Sequence, residues 1–350
     1  MLSRVANSLY WMSRYLERAE NTARLVDVNL QLLLDFQNFD DHALTVHWMP
    51  IVQSSGDETL FTSLHPRATG EAVTQFLVFQ TENTNSVLSA VTQARENARM
   101  VRDQITVELW EELNRLYLFL HSPRARQLIR SSPAEFFQEV KAASLLMQGI
   151  TDAIVMRNEG WNFLQVGKYL ERADKTSRIL DVRHATFPDR GAPGPISPAD
   201  TPAWSAILRS CSAWDAYQSL YGAEVQPAEV AELLILSEDF PRSVRYCVER
   251  LNTDLRDISG VAAGRFSNDA EKLAGRLLAE LQFSTASDIF ETGLHTWIDL
   301  LQTRLNAIGA ALFKTYILHA FQEGESDRLR QQEEQQQQQP DTECGVRNAE

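Results

Sequence analysis

An all-α fold is predicted for this chain, a single large bundle of roughly ten helices, on three observations. Apolar residues recur at helical spacing along most of its length. Alternating strand-like runs bounded by turn dipeptides are nearly absent. One helical segment is written twice. The first helix is read from Leu9, Leu16, Ala19, Ala23, Val26, Leu30 and Leu33, which form one apolar stripe. Phe36 to Pro66 interrupts the periodicity and reads as a long connection with a short helix or irregular packing. Helix patterns follow at 70–100, 103–121, 133–156 and 161–184, with Pro133 at a helix start and Ser131 or Ser132 as its cap. Phe187 to Pro202 is rich in Pro and Gly and aperiodic, a surface linker joining halves 1–186 and 203–322 of one domain. Beyond it, helices are expected at 203–221, 227–237, 240–260, 268–283 and 285–321. Pro227 and Pro241 stand at helix starts, with Asp239 as a capping oxygen. Residues 323–350 form a polar, Gln-rich tail with almost nothing to bury, and disorder is expected there.

The duplicated segment runs from Tyr15 to Val28 and again from Tyr169 to Val182, with nine of fourteen positions identical. The identities include Glu17-Arg18 and Glu171-Arg172, Arg24 and Arg178, and Asp27 and Asp181, so charges repeat as well as apolar residues. Glu17, Glu20, Asn21, Arg24 and Asp27 form a polar stripe about 120° wide, and Arg18 and Thr22 point to a third side. Glu171, Asp174, Lys175, Arg178 and Asp181 form the equivalent stripe. Packed side by side, two such helices share a polar seam.

These residues resemble the Alpha-E family, all-helical bacterial domains named for this Glu-Arg motif. Ala94 to Asp103, Trp110 to Asn114, Asp239 to Val244 and Glu291 to His295 resemble further motifs of that family, and the likeness spans nearly all of residues 1–321. The resemblance implies partners: a circularly permuted ATP-grasp protein and a transglutaminase-like protein, in a system that makes or modifies peptide-type amide bonds.

Bulk chemistry narrows the classes. A net charge of −14, about −9 without the tail, disfavours nucleic acid and anionic membranes as partners, since both select a basic face. Cys211, Cys247 and Cys344 form no CxxC pair, which fits a reducing, cytoplasmic setting without a disulfide framework. No apolar leader is expected at the N-terminus, and no apolar run reaches about 18 residues. Glycine-rich phosphate loops and nucleophile elbows are missing, and no cofactor is expected. Glu291 and His295, with Asp299 a turn further, have no second Glu-His helix to complete a di-metal set, and His42 and His47 are poorly spaced for zinc. No metal centre is expected, and His295 is read as a hydrogen-bonded core or pocket residue.

Two readings of the seam stay open. In one, buried salt bridges fix helix register. In the other, Glu17 and Glu171 act as acid and base while Arg18, Arg24, Arg172 and Arg178 clamp an anionic, amino-acid-like substrate. Arg95, Arg99 and Arg102 share a helix face and form either an anion cradle or pairs neutralised by Glu96 and Asp103. Arg242, in a helix's first turn, is placed to favour an anion or is simply solvated. The expected function is an accessory or binding subunit of an ATP-grasp-type ligase; an enzyme working through the seam and a purely structural scaffold are the alternatives.

Overall fold

The computed structural model describes residues 1–34, 41–186 and 201–318; the tail and nearly all of the expected linker lie outside the described residues. Among the described residues there are sixteen α-helices, two π-helical segments and no strand, so the class is all-α with more helices than the periodicity predicts. The first eight are α1 (Ser3–Leu34), α2 (Asp41–Ser55), α3 (Glu58–Leu64), α4 (Gly70–Val78), α5 (Val87–Met100), α6 (Val107–His121), α7 (Pro123–Ser131) and α8 (Pro133–Ile154). The second eight are α9 (Glu159–Thr186), α10 (Thr201–Ser210), α11 (Trp214–Tyr221), α12 (Pro227–Ala231), α13 (Val244–Ser259), α14 (Asp269–Phe283), α15 (Ala286–Thr292) and α16 (Leu294–Leu312).

The extra helices arise where local side chains or backbone angles end one helix and start another. The pattern expected as one helix over 70–100 is broken between α4 and α5. There the Asn83 side chain accepts from the Asn85 N–H at 2.8 Å and donates to the Phe76 carbonyl at 3.2 Å. Ser86 then caps α5 by accepting from the Ser89 N–H. Pro241 does not open a helix as expected; it lies in a turn, and Ser243 caps α13 through the Tyr246 N–H. The 203–221 pattern divides at Ser212 (φ 54°), and the 285–321 pattern divides at Gly293 (φ 90°). Ser122 caps α7, whose Pro123 occupies the first turn, in a stretch where periodicity predicts nothing. The stretch expected as a connection at 36–66 contains α2 and α3.

The two sets of eight pack in the same order. Helix α5 lies along α1 as α13 lies along α9, and α8 and α16 flank α1 and α9 in the same way. Helix α6 bridges α5 and α8, and α14 bridges α13 and α16. Two elements cross over: α2 packs on α9, and α10 packs on α1. The duplication therefore extends through the whole described chain, and its halves meet between Ile154 and Glu159. At the centre α1 and α9 run parallel, with Met1 paired to Glu159 and Tyr10 beside Gly167. One continuous apolar core surrounds this pair, with Leu9, Met12, Val26, Leu170 and Leu180 all buried.

Candidate functional site

The two Glu-Arg motifs meet in the α1–α9 interface and exchange partners. Arg172 donates to Glu17 through Nε at 2.9 Å and Nη2 at 2.8 Å. Arg18 donates to Glu171 through Nε at 2.7 Å and Nη2 at 3.1 Å. The arrangement is the same when the copies are swapped. Arg18 therefore belongs to the seam, although the helical wheel puts it on a third side. The two helices pack closely enough, and the arginine side chain is long enough, for residues flanking the stripe to reach across. Both carboxylates are sealed, Glu17 at 2% and Glu171 at 0% exposure.

Each glutamate has further cationic partners, and here the copies differ. Arg14, one turn before the first motif, donates to Glu171 at 2.7 Å and to the Tyr10 hydroxyl at 2.9 Å. Glu17 instead receives Arg242 at 3.1 Å, from the turn before α13, and Arg242 also binds Asn21 and Glu20. Arg242 is thus a buried core residue, not a solvated one or an exposed anion site. Burial, the largest influence on Glu17, pushes its carboxyl up. Arg172 and Arg242 outweigh that and hold it at about 2. Glu171 is likewise driven well below the ordinary range: Arg14, Arg18 and Lys175 overcome the upward push of burial. Neither group carries a proton to give at neutral pH.

The rest of the stripe is paired the same way in both copies. Arg24 bonds Glu20 at 2.8 Å and Arg178 bonds Asp174 at 2.9 Å, one turn apart along each helix. Ser144 and Gln148 of α8 also donate to Glu20, at 2.6 and 2.8 Å. Asp27 pairs with Lys141 of α8 at 2.7 Å, and Asp181 pairs with His295 of α16 at 2.8 Å. Lys141 and His295 are 154 positions apart, the same separation as the motifs. The Asp181 hydrogen bond raises the His295 imidazole above its usual value despite partial burial.

Arg95 and Arg99 are not drawn into the seam. Arg95 binds Asn114 at 2.8 Å and Glu96 at 3.0 Å and stacks on Tyr117, while Arg99 is 63% exposed and 3.4 Å from Glu96. Arg102 lies over the Trp110 ring. Glu96 neutralises Arg95 and Arg99 as the second alternative has it, whereas Asp103 accepts from Gln104 and does not pair with Arg102. Among the described residues, Asp181, His295 and Asp299 bring ligand atoms within 4.8 Å of one another. Nδ1 of His295 is 2.8 Å from Asp181, while Nε2 is 3.7 Å from Asp299. With Lys141 at the equivalent place in the other half, an ion pair is the simpler account. Cys211 and Cys247 are buried, and burial pushes both thiols up to about 12, which leaves them unreactive.

Two seam residues escape a reading confined to the motifs, Arg14 and Lys168. They too stand 154 apart, so extending the repeat by one turn would have found them. Lys141 is found in the same way, as the repeat counterpart of His295, whereas Asn85, which receives Arg18 at 2.8 Å, carries no such local signal.

Comparison with known families agrees with this architecture. A family called Alpha-E, described as a predicted alpha-helical domain with a conserved ER motif, matches residues 1–317. The chain belongs to the Alpha-E family. Uncharacterized proteins of Mycobacterium bovis and Mycobacterium tuberculosis are similar to this Alpha-E chain, at 26% identity over 302 residues. The match covers 82% of this chain and 33% of each relative, so it spans about a third of the length of those proteins. No solved structure matches this Alpha-E domain.

Proposed function

We propose that this domain is an accessory or binding subunit that works with an ATP-grasp-type ligase, and with a transglutaminase-like protein, in a cytoplasmic system forming or modifying peptide-type amide bonds. The motif seam is the structural element that locks its two halves in register. The observation that carries this reading is the complete enclosure of Glu17 and Glu171, each held ionised by guanidinium groups from the opposite helix. A general acid or base must reach its substrate and change protonation state near working pH. These carboxylates do neither, which supports a positioning role over catalysis by the motif.

Two further features support a partner. The curated relatives carry matching sequence within chains about three times as long as the match, so in them the region lies beside other polypeptide. Leu146 of α8 and Leu300 of α16, at equivalent places in the two halves, are 51% and 47% exposed. Paired apolar groups on outer helices are surface that a partner can cover.

The test is affinity capture of the tagged full-length chain from its own cells, with and without ATP. Stoichiometric recovery of an ATP-grasp-type ligase, lost when Leu146 and Leu300 are changed to Glu, is the expected result. Recovery of the chain alone at the same lysate concentration would remove the partner reading.

A further inference from the structure

Helix α8 carries an apolar surface that its own fold does not use. It packs on α1, α6 and α7, with Phe136, Val140 and Met147 buried. The face turned to solvent should then be polar. Instead Ala142, Leu145, Leu146, Gly149 and Ala153 line it at helical spacing and are all exposed, Leu145 by 52% and Leu146 by 51%. Ile150 is half-buried at its edge, and the helix has no charged residue from Ala142 to Thr151. The duplication shows that the shared architecture does not require this. Helix α16 occupies the same place in the other half, where the positions of Ala142, Leu145, Gly149 and Ile150 hold Thr296, Asp299, Thr303 and Arg304. Leu300 and Ala307 alone keep the apolar character of Leu146 and Ala153. The outward face of α16 suits water, and that of α8 does not.

This face is complementary to itself. Two copies of α8 laid antiparallel about a two-fold axis between Met147 and Gln148 bring Leu146 of one copy opposite Gly149 of the other. Leu145 then meets Ile150, and Ala142 meets Ala153, each contact being made twice. A large side chain thus enters the notch at the helix's one glycine, and the small residues on either side let the backbones approach. The notch is open: a Cβ added to Gly149 would meet nothing within 4 Å. Ion pairs flank the apolar stretch, Arg115–Glu139 at 3.5 Å toward the start of α8 and Asp152–Arg157 at 3.6 Å at its end. Antiparallel pairing lays one rim over the other, so acid and arginine also match between copies. An apolar centre within a polar rim is the anatomy of a specific interface. Parallel pairing would instead set Gly149 against Gly149 and Glu139 against Glu139.

We infer that the outward face of α8 is a homodimer interface, covered by α8 of a second copy in antiparallel register. The inference goes beyond the partner reading above: α8 is given to a second copy of this chain, and Leu300 on α16 is left for another protein. Leu146 is the anchor and Gly149 the pocket that receives it.

The experiment is analytical ultracentrifugation of the purified full chain from nanomolar to high micromolar concentration. A species of twice the chain mass that dissociates on dilution is expected. Leu146→Glu and, separately, Gly149→Leu should each weaken it by about tenfold or more while keeping the far-ultraviolet circular dichroism of the parent. Register is read by cross-linking: Ala142→Cys with Ala153→Cys, in a Cys344→Ser chain, should give a disulfide-linked dimer on oxidation, and Ala142→Cys alone should not. A monomer at every concentration, or a dimer that both surface variants leave intact, would overturn the assignment. A covalent dimer from Ala142→Cys alone would overturn the antiparallel register. No ligase is present in these measurements, so their outcome is separate from that of the capture experiment.

Discussion

Glu171 makes the energetic logic of the seam concrete. Its carboxylate is fully enclosed and bonded to Arg14 and Arg18, with Lys175 4.0 Å away. Replacing it by Gln removes the negative charge and leaves two guanidiniums facing a neutral amide inside the core. Breaking one side of such a buried pair costs about 3–5 kcal/mol. Urea unfolding of Glu171→Gln should show a loss of that size; a change near zero would mean that the carboxylate is not structural. His295 tests the other end of the stripe. Its imidazole is raised by Asp181, so the pair stabilises fully below the unfolded-state value near 6.5. The contribution is lost as pH rises through the higher folded-state value. Lys141 makes the equivalent bond in the other half, and lysine as a residue type has an ordinary value of about 10.4. Stability measured from pH 6 to 9 should therefore decline more in the parent than in His295→Lys. Parallel curves would show that the Asp181 contact carries no weight. Helical periodicity lists all these charges on one strip of surface but cannot say which are covered. That depends on what packs against them: Arg242 is covered by α1 instead of solvated, while Arg18, on a third side of the wheel, reaches the seam through the length of its side chain.

Among the helices, α1 and α9 are set by close backbone approach as much as by charge. Gly167 packs against the Tyr10 backbone so tightly that an added Cβ would collide with that carbonyl oxygen. The first-copy residue at this place, Ser13, is in turn one of the atoms nearest Gly167. Gly167→Ala would push the helices apart and stretch the reciprocal Glu-Arg bonds. Overpacking of this kind costs typically about 1–3 kcal/mol, even though Ala favours a helix over Gly by about 1 kcal/mol. A Gly167→Ala protein that melts at or above the parent temperature would show that the interface has slack there. Capping chemistry explains most differences from the expected helix boundaries. Thr69, Ser86, Thr106, Ser122, Ser243, Asn268 and Thr285 each accept a backbone N–H at a helix start. These residues are visible in the sequence. Their effect is not, because a Ser or Asn inside a periodic stretch caps a new helix only if the chain has room to turn.

For the molecule as a whole, the duplication predicts how it unfolds. Helix α2 packs on α9, and α10 packs on α1, so neither half holds its own central helix without the other. Heating should give one transition, with circular dichroism and tryptophan fluorescence curves superimposable. Two separated transitions would mean that the halves are independent domains that only touch along the seam.

The all-α class and the pairing of the two motif helices follow from the chain alone, because 3.6-residue periodicity and a repeated string of charges are local properties. Membership of the Alpha-E family follows from the same local string, extended by the other motifs. The full extent of the duplication does not. Helices α5 and α13 share little beyond Ser86-Val87 and Ser243-Val244, since a core position accepts many apolar side chains and only geometry is kept. Tertiary structure alone decided that Arg14 and Arg242, from unrelated positions, neutralise the two glutamates. It also decided that Lys168, the second-copy counterpart of Arg14, makes no ion pair with Glu17, whose carboxylate Arg172 and Arg242 occupy. The physical reason is that ion pairing is settled by distance and enclosure between segments far apart in the chain, and no spacing within one helix encodes either.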